Sequence, residues 1–460
     1  MPEHFDLIVI GSGPAGEKGA AQAAYFGKRV ALIEKQAVRG GAAANTGTLP
    51  SKTLRESALY LSGFRQRGLY GINLSLKDQV TAQDFLFRER VVANSERERI
   101  DTNLNRHNIE LFTGAASFLD EHRVTVAGTN HILAADKFLI AIGSRPFRPP
   151  NLPFDDPRVF DSDTILLMDE LPASMLVAGG GVIGCEYACM FAALGIKVTL
   201  VEGRDTLLGF LDSEVSATLT GDMESMGINI IKPDAIDAVE TGDQLRVKLK
   251  SGTEVSVGSL LAATGRTGNT DQLGLENIDL APNKRGQLNV NENYQTDQPH
   301  IYAAGDVIGF PALASTSMEQ ARLAMVHAFD LKYKKGLANI LPYGIYTIPE
   351  CSMAGETEES LTAKQIPYVA GKALYAANAR GQIIGDERGF VKLLFHRQSR
   401  KLLGVHVIGE LASEIVHTGL MAMLMEATTD LFIQTCFNYP TLNEMFKYAT
   451  YDALGKLAND

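Results

Sequence analysis

The N-terminal half of the chain contains two copies of one hydrophobic pattern. In the first copy an apolar run at Phe5–Ile10 leads into glycines, an alanine-rich stretch continues to Tyr25, and a second apolar run at Arg29–Ile33 ends in Glu34. Short continuous apolar runs bounded by turn residues are typical of strands buried in a parallel sheet. The pattern therefore predicts a strand–helix–strand unit over residues 5–34.

The second copy spans residues 174–202. Its apolar runs lie at Met175–Ala178 and Lys197–Val201, its helix is predicted at Cys185–Leu194, and Glu202 closes its last strand. The same order of apolar run, glycines, helix, strand and acid predicts a second unit of the same design.

The glycines in both copies have the spacing of a turn that binds a pyrophosphate. They stand in Gly11-Ser12-Gly13-Pro14-Ala15-Gly16 and in Gly179-Gly180-Gly181-Val182-Ile183-Gly184. In this motif the first glycine permits a tight turn, the second lets the backbone approach the phosphates, and the third lets helix and strand pack closely. The helix N-terminus offers free N–H groups, and an acid at the strand end could accept hydrogen bonds from a ribose. Two complete dinucleotide sites suggest two cofactors that exchange electrons.

The end of the second copy bears on nucleotide preference. Glu202 suits a free ribose 2′-hydroxyl and repels a 2′-phosphate, which favours NAD(H). Arg204 could offset this by contacting a 2′-phosphate, or it could be an ordinary surface arginine. The sequence leaves both readings open.

The remaining pattern predicts alternating short elements. Residues 51–109 are charged and helical in period, residues 230–262 have the pattern of a meander of short strands, and a third α/β domain begins near residue 341. Further strands are predicted at 109–112, 124–126, 137–142, 301–306, 344–347, 390–396 and 403–408, and further helices at 313–329, 412–427 and 443–457.

Composition narrows the class of protein. A chain of 460 residues with 45% hydrophobic and 21% charged residues is typical of a soluble protein of two to four domains. The net charge of -11, without a Lys/Arg cluster, argues against nucleic acid as a partner. No apolar run reaches about 18 residues, so we expect no membrane span, and the N-terminus lacks a signal-peptide pattern, so we expect a cytoplasmic protein.

Cysteines and histidines predict neither a disulfide scaffold nor a metal site. The four cysteines are scattered, and Cys185 and Cys189 share a helix face, as expected for small buried packing residues in a reducing compartment. The nine histidines show no spacing typical of metal ligands.

The segment Gly40–Lys52 is almost free of reactive side chains. Its glycines and alanines would let the backbone lie flat against a large planar ligand, and Lys52 alone could act as an acid, base or cation. The segment predicts either a site from which the usual chemistry has been removed or one that needs no protein nucleophile.

Five features together resemble the two-dinucleotide flavoprotein family that includes glutathione reductase and dihydrolipoyl dehydrogenase. They are Gly11–Gly16 with Glu34, the segment Gly40–Lys52, the sequence Ile140-Ala-Ile-Gly-Ser144-Arg145-Pro, the unit Gly179–Glu186, and Ala304-Gly305-Asp306. The resemblance covers nearly the whole chain. It implies an α/β fold with an FAD-binding domain at 1–148 and 271–340, an NAD(P)-binding domain at 149–270, and an interface domain at 341–460 that forms a homodimer or larger homo-oligomer.

The resemblance also implies roles for single residues. Glu34 would hold the adenosine ribose of FAD and Asp306 its ribitol, while Lys52 would lie near flavin N5, paired with Glu186 close to the nicotinamide. A purely structural Lys52–Glu186 ion pair fits the sequence too. The remaining predicted FAD contacts are Gly11, Ser12, Gly13, Pro14, Ala15, Gly16, Lys35, Gly41, Thr46, Ser144, Arg145, Gly305 and Ala314, and the predicted NAD(P) contacts are Gly179, Gly181, Val182, Ile183, Gly184, Glu186, Glu202 and Gly265, with Arg204 for a 2′-phosphate.

Three departures from the family pattern argue against its disulfide chemistry. Ala43 and Thr48 stand where disulfide reductases have two cysteines, and Tyr439 stands where they have the histidine of an acid–base pair with the residue matching Glu444. Neither alanine nor threonine can form the thiolate that such an enzyme needs.

What remains is flavin and nicotinamide chemistry, and the chain is similar to the soluble pyridine nucleotide transhydrogenase subfamily. The closer likeness is carried by segments 47–52, 184–188, 204–208, 265–271, 344–350 and 437–441, whereas Ala43 and Glu202 depart from it. The resemblance implies ping-pong hydride transfer between NADPH and NAD+ through FAD. An NAD(P)H:quinone reductase and a non-catalytic flavin-containing scaffold or sensor are the alternatives. The direction, the NAD or NADP preference, the oligomer size and the natural or engineered origin of Ala43 stay open.

Overall fold

The first unit is a seven-stranded sheet covered by helices. A computed structural model describes residues 3–64, 69 and 80–459. The strand order is β3-β2-β1-β6-β5-β4, and β17 pairs with β6 on a branch. The central pairs are parallel, whereas β4, β5 and β6 pair antiparallel. The strands are β1 (Glu3–Ile10), β2 (Val30–Glu34), β3 (Glu110–Thr113), β4 (Ala116–Asp120), β5 (Arg123–Val126), β6 (Ile132–Ile140) and β17 (Ile301–Ala303).

The helices of this unit are amphipathic or alanine-rich. Helices α1 and α7 pack against each other over the buried strand residues Leu7 and Val9. The helices are α1 (Pro14–Tyr25), α2 (Gly41–Asn45), α3 (Thr48–Ser62), α4 (Ala82–Arg106) and α7 (Ala314–Ala328).

The second unit is a five-stranded, all-parallel sheet in the order β11-β10-β9-β15-β8. The chain between β11 and β15 forms a three-stranded antiparallel sheet, β12-β13-β14. The two-stranded ribbon β7–β16 joins the first and second units. The elements are β7 (Ser144–Pro146), β8 (Val159–Asp161), β9 (Ser174–Ala178), α5 (Val182–Ala193), β10 (Lys197–Val201), α6 (Ser213–Ser225), β11 (Asn229–Ile231), β12 (Ile236–Glu240), β13 (Leu245–Leu249), β14 (Glu254–Val257), β15 (Ser259–Ala262) and β16 (Arg266–Gly268).

The third unit is an antiparallel sheet in the order β18-β19-β22-β21-β20, with helices packed on it. Its elements are β18 (Tyr343–Ile345), β19 (Cys351–Gly355), α8 (Glu358–Ala363), β20 (Tyr368–Leu374), α9 (Ala379–Ile384), β21 (Phe390–His396), β22 (Leu402–Ile408), α10 (Ala412–Leu424), α11 (Thr429–Gln434) and α12 (Met445–Asn459).

One hydrophobic core joins the three units around the candidate site. It contains Leu54 of α3, Phe85 of α4, Phe191 of α5 and Ile345 of β18, all buried. Because these elements share one core, α3, α5 and the segment after β18 are held in fixed relation. They carry the central side chains of the site.

A buried ion cluster also connects the second and third units. Lys392 of β21 is 4% exposed, and its ammonium lies 2.9 Å from Asp212 Oδ1 and 3.1 Å from Glu214 Oε2 and also pairs with Glu358. These three carboxylates converge closely enough to resemble a cation site. The ammonium of Lys392 is the cation that they share.

Several predicted elements differ from the structure. Residues 230–262 are not one meander, because β11 and β15 join the parallel sheet and only β12–β14 form antiparallel pairs. The strand predicted at 301–306 ends at Ala303. The predicted elements include no counterpart of strands β4, β7, β8, β16, β19 and β20 or of helices α2, α6, α8, α9 and α11. Residues 65–68 and 70–79 of the predicted helical region 51–109 lie outside the described residues. The predicted domain boundaries stay a prediction.

Candidate active site

The two glycine turns have nearly identical geometry. Gly11 and Gly179 have φ of +100° and +109°, in the region that favours glycine, and a Cβ at either would collide with the carbonyl of Ala141 or Ala263. A Cβ at Gly16 or Gly184 would likewise overlap the carbonyl oxygen of the turn's own first glycine. The first and third glycines are therefore required by close backbone packing in both turns.

The second glycine of each turn faces open space instead. A Cβ at Gly181 would meet no atom within 4 Å, and one at Gly13 would meet only the Cα of Gly41. Helices α1 and α5 begin directly after these glycines, and the glycine at each N-cap has no side chain to cap the helix. Their free N–H groups and positive helix ends can receive a phosphate.

The acids at the strand ends tie each turn to its second strand. Glu34 Oε2 accepts hydrogen bonds from Ser12 N at 2.9 Å and Ser12 Oγ at 2.6 Å, and Glu34 Oε1 accepts one from Gln36 N at 2.9 Å. Glu202 Oε2 accepts one from Gly180 N at 2.6 Å. Each acid thus shapes its turn before any ligand binds.

The segment Gly40–Lys52 starts from the first turn. Gly40 has φ of +106°, and its N–H donates to Ser12 Oγ at 3.1 Å. Ala43 is half-buried on α2, and Thr48 is exposed at the start of α3. Burial raises the pKa of Asp163 despite the nearby Arg266.

Lys52 and Glu186 form the central pair of the site. Lys52 Nζ lies 2.9 Å and 2.8 Å from the two oxygens of Glu186, which is 3% exposed. The Tyr346 N–H donates to Glu186 Oε1 at 2.9 Å, and Lys52 Nζ lies 4.9 Å from the centre of the Tyr346 ring. The sequence did not predict Tyr346 here, because its bond to Glu186 comes from the backbone.

A buried arginine holds the segment that supplies Tyr346. Arg55 of α3 is 2% exposed, donates from Nε to Thr347 O at 2.9 Å, and lies 3.1 Å from Glu350 Oε1. Glu350 also accepts from Ser413 Oγ at 2.7 Å. Helix α3 therefore contributes Lys52 and also fixes the backbone that faces Glu186.

A second polar group surrounds Asp306, which follows β17. Ser144 Oγ donates to Asp306 Oδ2 at 2.7 Å, and Arg266 donates to Ser144 Oγ and Ser144 O, each at 2.8 Å. The Gly305 N–H donates to Gln320 Oε1 at 2.9 Å. Arg266 is a further residue that sequence reasoning did not single out.

Other predicted ligand residues have different surroundings. Arg145 points along the β7–β16 ribbon, where it pairs with Asp271 and donates to Gly268 O at 3.3 Å. Lys35 is exposed beside Glu34, Ala314 is the first residue of α7, and a Cβ at Gly265 would meet no atom within 4 Å.

Three of the four thiols are placed for packing. Cys185, Cys189 and Cys351 are buried, and burial raises the pKa of all three, that of Cys189 to about 12. Cys436 and Tyr439 are exposed. The prediction that Cys185 and Cys189 are buried packing residues is confirmed.

Comparison with known proteins shows the family. The signature described as Pyridine nucleotide-disulphide oxidoreductase matches residues 5–325, and that of its dimerisation domain matches residues 341–450. This chain belongs to the pyridine nucleotide-disulphide oxidoreductase family. Membership implies FAD and nicotinamide nucleotides, and the second match indicates a homo-oligomer.

Full-length relatives are similar at the sequence level. A protein named soluble pyridine nucleotide transhydrogenase from Mycobacterium tuberculosis (strain ATCC 25177 / H37Ra) is 44% identical over 458 residues, covering 98% of each chain. A protein of the same name from Chromohalobacter salexigens is 43% identical over 462 residues, covering 99% of each. The predicted family and subfamily likeness is confirmed.

Solved structures confirm the predicted fold class. The HOCl-induced flavoprotein disulfide reductase RclA from Escherichia coli is 27% identical with a TM-score of 0.87, covering 96% of this chain and 98% of its own. LpdA from Mycobacterium tuberculosis is 25% identical with a TM-score of 0.89, covering 98% and 99%. Across residues 3–64, 69 and 80–459, no helix is both long and apolar enough to cross a membrane.

Proposed function

We propose that this protein transfers hydride between NADPH and NAD+ with FAD as its cofactor, one per subunit, in the manner of a cytoplasmic soluble transhydrogenase. The observation that carries the proposal is the intact Lys52–Glu186 pair, with a buried carboxylate, in a site where Ala43 and Thr48 stand in place of thiols. Full-length relatives at 43–44% identity carry the transhydrogenase name.

The residues of the first site fit FAD. The turn opens at Gly13 toward the N-terminus of α1, and Glu34 Oε1 has only one hydrogen bond in the described structure, from Gln36. Because a carboxylate oxygen has about two acceptor directions, Glu34 retains one for a ribose hydroxyl. Asp306, oriented by Ser144, offers a second carboxylate for the ribitol hydroxyls.

Bound FAD supplies a ring that accepts a hydride from one nicotinamide nucleotide and returns it to another. The protein's own contribution is binding, orientation and charge. Lys52 provides a fixed cation for the negative charge of the reduced cofactor, and Glu186 with the Tyr346 amide holds that cation in one position. Gly181 and the N-terminus of α5 receive the nucleotide's pyrophosphate. No step requires a protein nucleophile.

A steady-state assay tests the proposal. FAD-loaded protein is mixed with NADPH and a thio-analogue of NAD+, whose reduced form absorbs at a distinct wavelength, and both concentrations are varied. We expect turnover with parallel double-reciprocal lines, as a ping-pong exchange requires. Turnover no faster than that of free FAD contradicts the proposal.

A further inference from the structure

A deeply buried arginine lies one helical turn from Lys52. Arg55 follows Lys52 by three residues on α3, so the two cations are neighbours on one face of the helix. Arginine is almost never fully buried unless it is paired, and Arg55 is 2% exposed in the core that joins the three units. Its position beside the site requires a physical explanation.

A contribution to stability does not by itself explain Arg55. Its Nη1 lies 3.1 Å from Oε1 of Glu350, whose side chain is 6% exposed. Replacing both members of a buried ion pair by well-packed apolar residues is often neutral or stabilising, because burial takes both charges out of water. Helix α3 already buries the apolar side chains of Leu54 and Leu59 in the same core. The pair therefore contributes a fixed position more than it contributes strength.

Arg55 fixes the backbone that follows β18. Its Nε donates to Thr347 O at 2.9 Å, while its Nη1 pairs with Glu350, three residues further along. Glu350 Oε2 in turn accepts from Ser413 Oγ at 2.7 Å and from Ser413 N at 3.2 Å, at the start of α10. The planar guanidinium thus holds the segment 346–350 at two points, and α10 of the third unit holds the same carboxylate.

Tyr346, at the start of this segment, makes two contacts with the central pair. Its N–H donates to Glu186 Oε1 at 2.9 Å, and the centre of its ring lies 4.9 Å from Lys52 Nζ. Because Thr347 is the next residue, a shift of its carbonyl would displace both the amide and the ring. The Lys52 side chain is 26% exposed, so water could then replace these contacts and the ammonium would no longer have one position.

We propose that Arg55 is a positioning residue for hydride transfer. Together with Glu350 it holds Tyr346 against Glu186 and Lys52, so that the third unit helps to set the position of the Lys52 cation. This role rests on the proposed function, in which Lys52 stabilises the negative charge of the reduced cofactor. A cation lowers the barrier most when it is already in place before charge develops.

Flavin reduction by NADPH alone tests this role in the FAD-loaded protein. Anaerobic stopped-flow absorbance at several NADPH concentrations separates the limiting rate of flavin reduction from the dissociation constant of NADPH. Arg55→Met should lower the limiting rate by roughly tenfold or more, since a misplacement of about 1 Å can cost about a hundredfold. The dissociation constant should stay unchanged, because among the described residues the polar contacts of Arg55 are with Glu56, Thr347 and Glu350.

A double variant separates position from stability. Arg55→Met leaves Glu350 buried without its cation and should lower Tm as well as the rate. Arg55→Met/Glu350→Gln removes both charges, and the new amide oxygen can still accept from Ser413. This double variant should regain most of the lost Tm but not the limiting rate, because Thr347 O still lacks its donor. It also provides the measurement if Arg55→Met does not fold.

Lys392→Met is the matched control. It removes another deeply buried cation, 4% exposed, whose ammonium lies 2.9 Å from Asp212 in the cluster between the second and third units. This variant should lower Tm and leave the limiting rate of flavin reduction unchanged. A limiting rate in Arg55→Met equal to that of the parent protein, or a double variant that regains the rate together with Tm, would overturn the inference.

Lys52→Met serves as the reference that distinguishes this inference from the proposed function. If Lys52→Met slows flavin reduction and Arg55→Met does not, the positioning role alone fails. If Arg55→Met slows it and Lys52→Met does not, Arg55 does not act through Lys52 and the inference is wrong. If both slow it but the parent protein reduces no thio-NAD+, the transhydrogenase proposal fails and the positioning role stands.

Discussion

A double-mutant cycle at Lys52 and Glu186 decides whether their ion pair serves the reaction or only the fold. Lys52→Met leaves a carboxylate that is 3% exposed and that, among the described residues, keeps one hydrogen bond, from the Tyr346 amide. Charges about 4 Å apart attract by about 4 kcal/mol at an effective dielectric constant near 20. Removing one partner of a buried pair costs about 3–5 kcal/mol. The Lys52 side chain is 26% exposed, so water replaces part of the interaction and we expect about 3 kcal/mol.

Glu186→Gln should cost less, about 1 kcal/mol, because the amide oxygen can still accept from Tyr346 and the ammonium can reach water. Once Glu186 is neutral, Lys52→Met no longer leaves an unpaired charge. The double variant should therefore be more stable than the sum of the single effects predicts, by roughly 2 kcal/mol.

The rate of flavin reduction should respond to these substitutions differently from the free energy of unfolding. If Lys52 stabilises charge on the reduced cofactor, Lys52→Met and the double variant should both slow flavin reduction by NADPH, on the order of a hundredfold. Urea unfolding and anaerobic stopped-flow absorbance measure the two quantities. Arg388→Met is the matched control, because it removes an exposed arginine whose Nη1 lies 2.8 Å from the buried Asp222. This variant should lower the free energy of unfolding without slowing flavin reduction. A double variant that regains the rate together with stability would refute the catalytic role.

Three further outcomes follow from the structure. Gly184→Ala should lower Tm and the yield of FAD-loaded protein, because its Cβ overlaps the Gly179 carbonyl. Gly181→Ala should keep Tm but weaken NAD+ binding measured by calorimetry, since its Cβ enters open space. Equal Tm values for the two variants would contradict this prediction. Lys392→Met leaves three converging carboxylates and should lower the free energy of unfolding, measured in urea, by about 3–5 kcal/mol. Lys401→Met, at an exposed ion pair, should lower it by less than about 1 kcal/mol. Similar losses in the two variants would contradict a stabilising role of the buried cluster. Burial lowers the pKa of His406 below its ordinary 6.5, so the unfolded chain binds a proton that the folded one does not. Stability should then fall as pH drops below about 6.5, by up to about 1.4 kcal/mol per pH unit from this residue, and His406→Gln should flatten the fall between pH 6.5 and 5.5; an unchanged slope contradicts the assignment.

Sequence reasoning succeeded where local pattern and chemistry coincide. Both glycine turns are identifiable because no residue other than glycine fits beside the Ala141 and Ala263 carbonyls, and their strands are continuous apolar runs. The Lys52–Glu186 pair was expected only from the family resemblance. The structure places the two side chains in contact, and their roles stay a prediction.

Sequence reasoning failed where pairing is non-local or uses the backbone. Strands β13 and β14 alternate apolar and polar residues, whereas β15 is a short continuous apolar run. The unbroken succession of short strands favoured one meander, but β11 and β15 pair in parallel with β10 and β9. Tyr346 acts through its N–H, which every residue but proline has. The sequence indicated that Glu202 and Arg204 act in opposite directions on the preference between NAD and NADP. Only the geometry shows that Arg204 donates three hydrogen bonds to the Glu202 carboxylate.

The most direct test of the central claim separates the two halves of the reaction. FAD-loaded protein is reduced anaerobically by one equivalent of NADPH, freed of NADP+ by gel filtration, and then mixed with NAD+ in a stopped-flow instrument. We predict that flavin absorbance returns while one NADH forms per flavin. Flavin that stays reduced with NAD+ yet is reoxidised by a quinone would contradict the account and identify the quinone reductase instead.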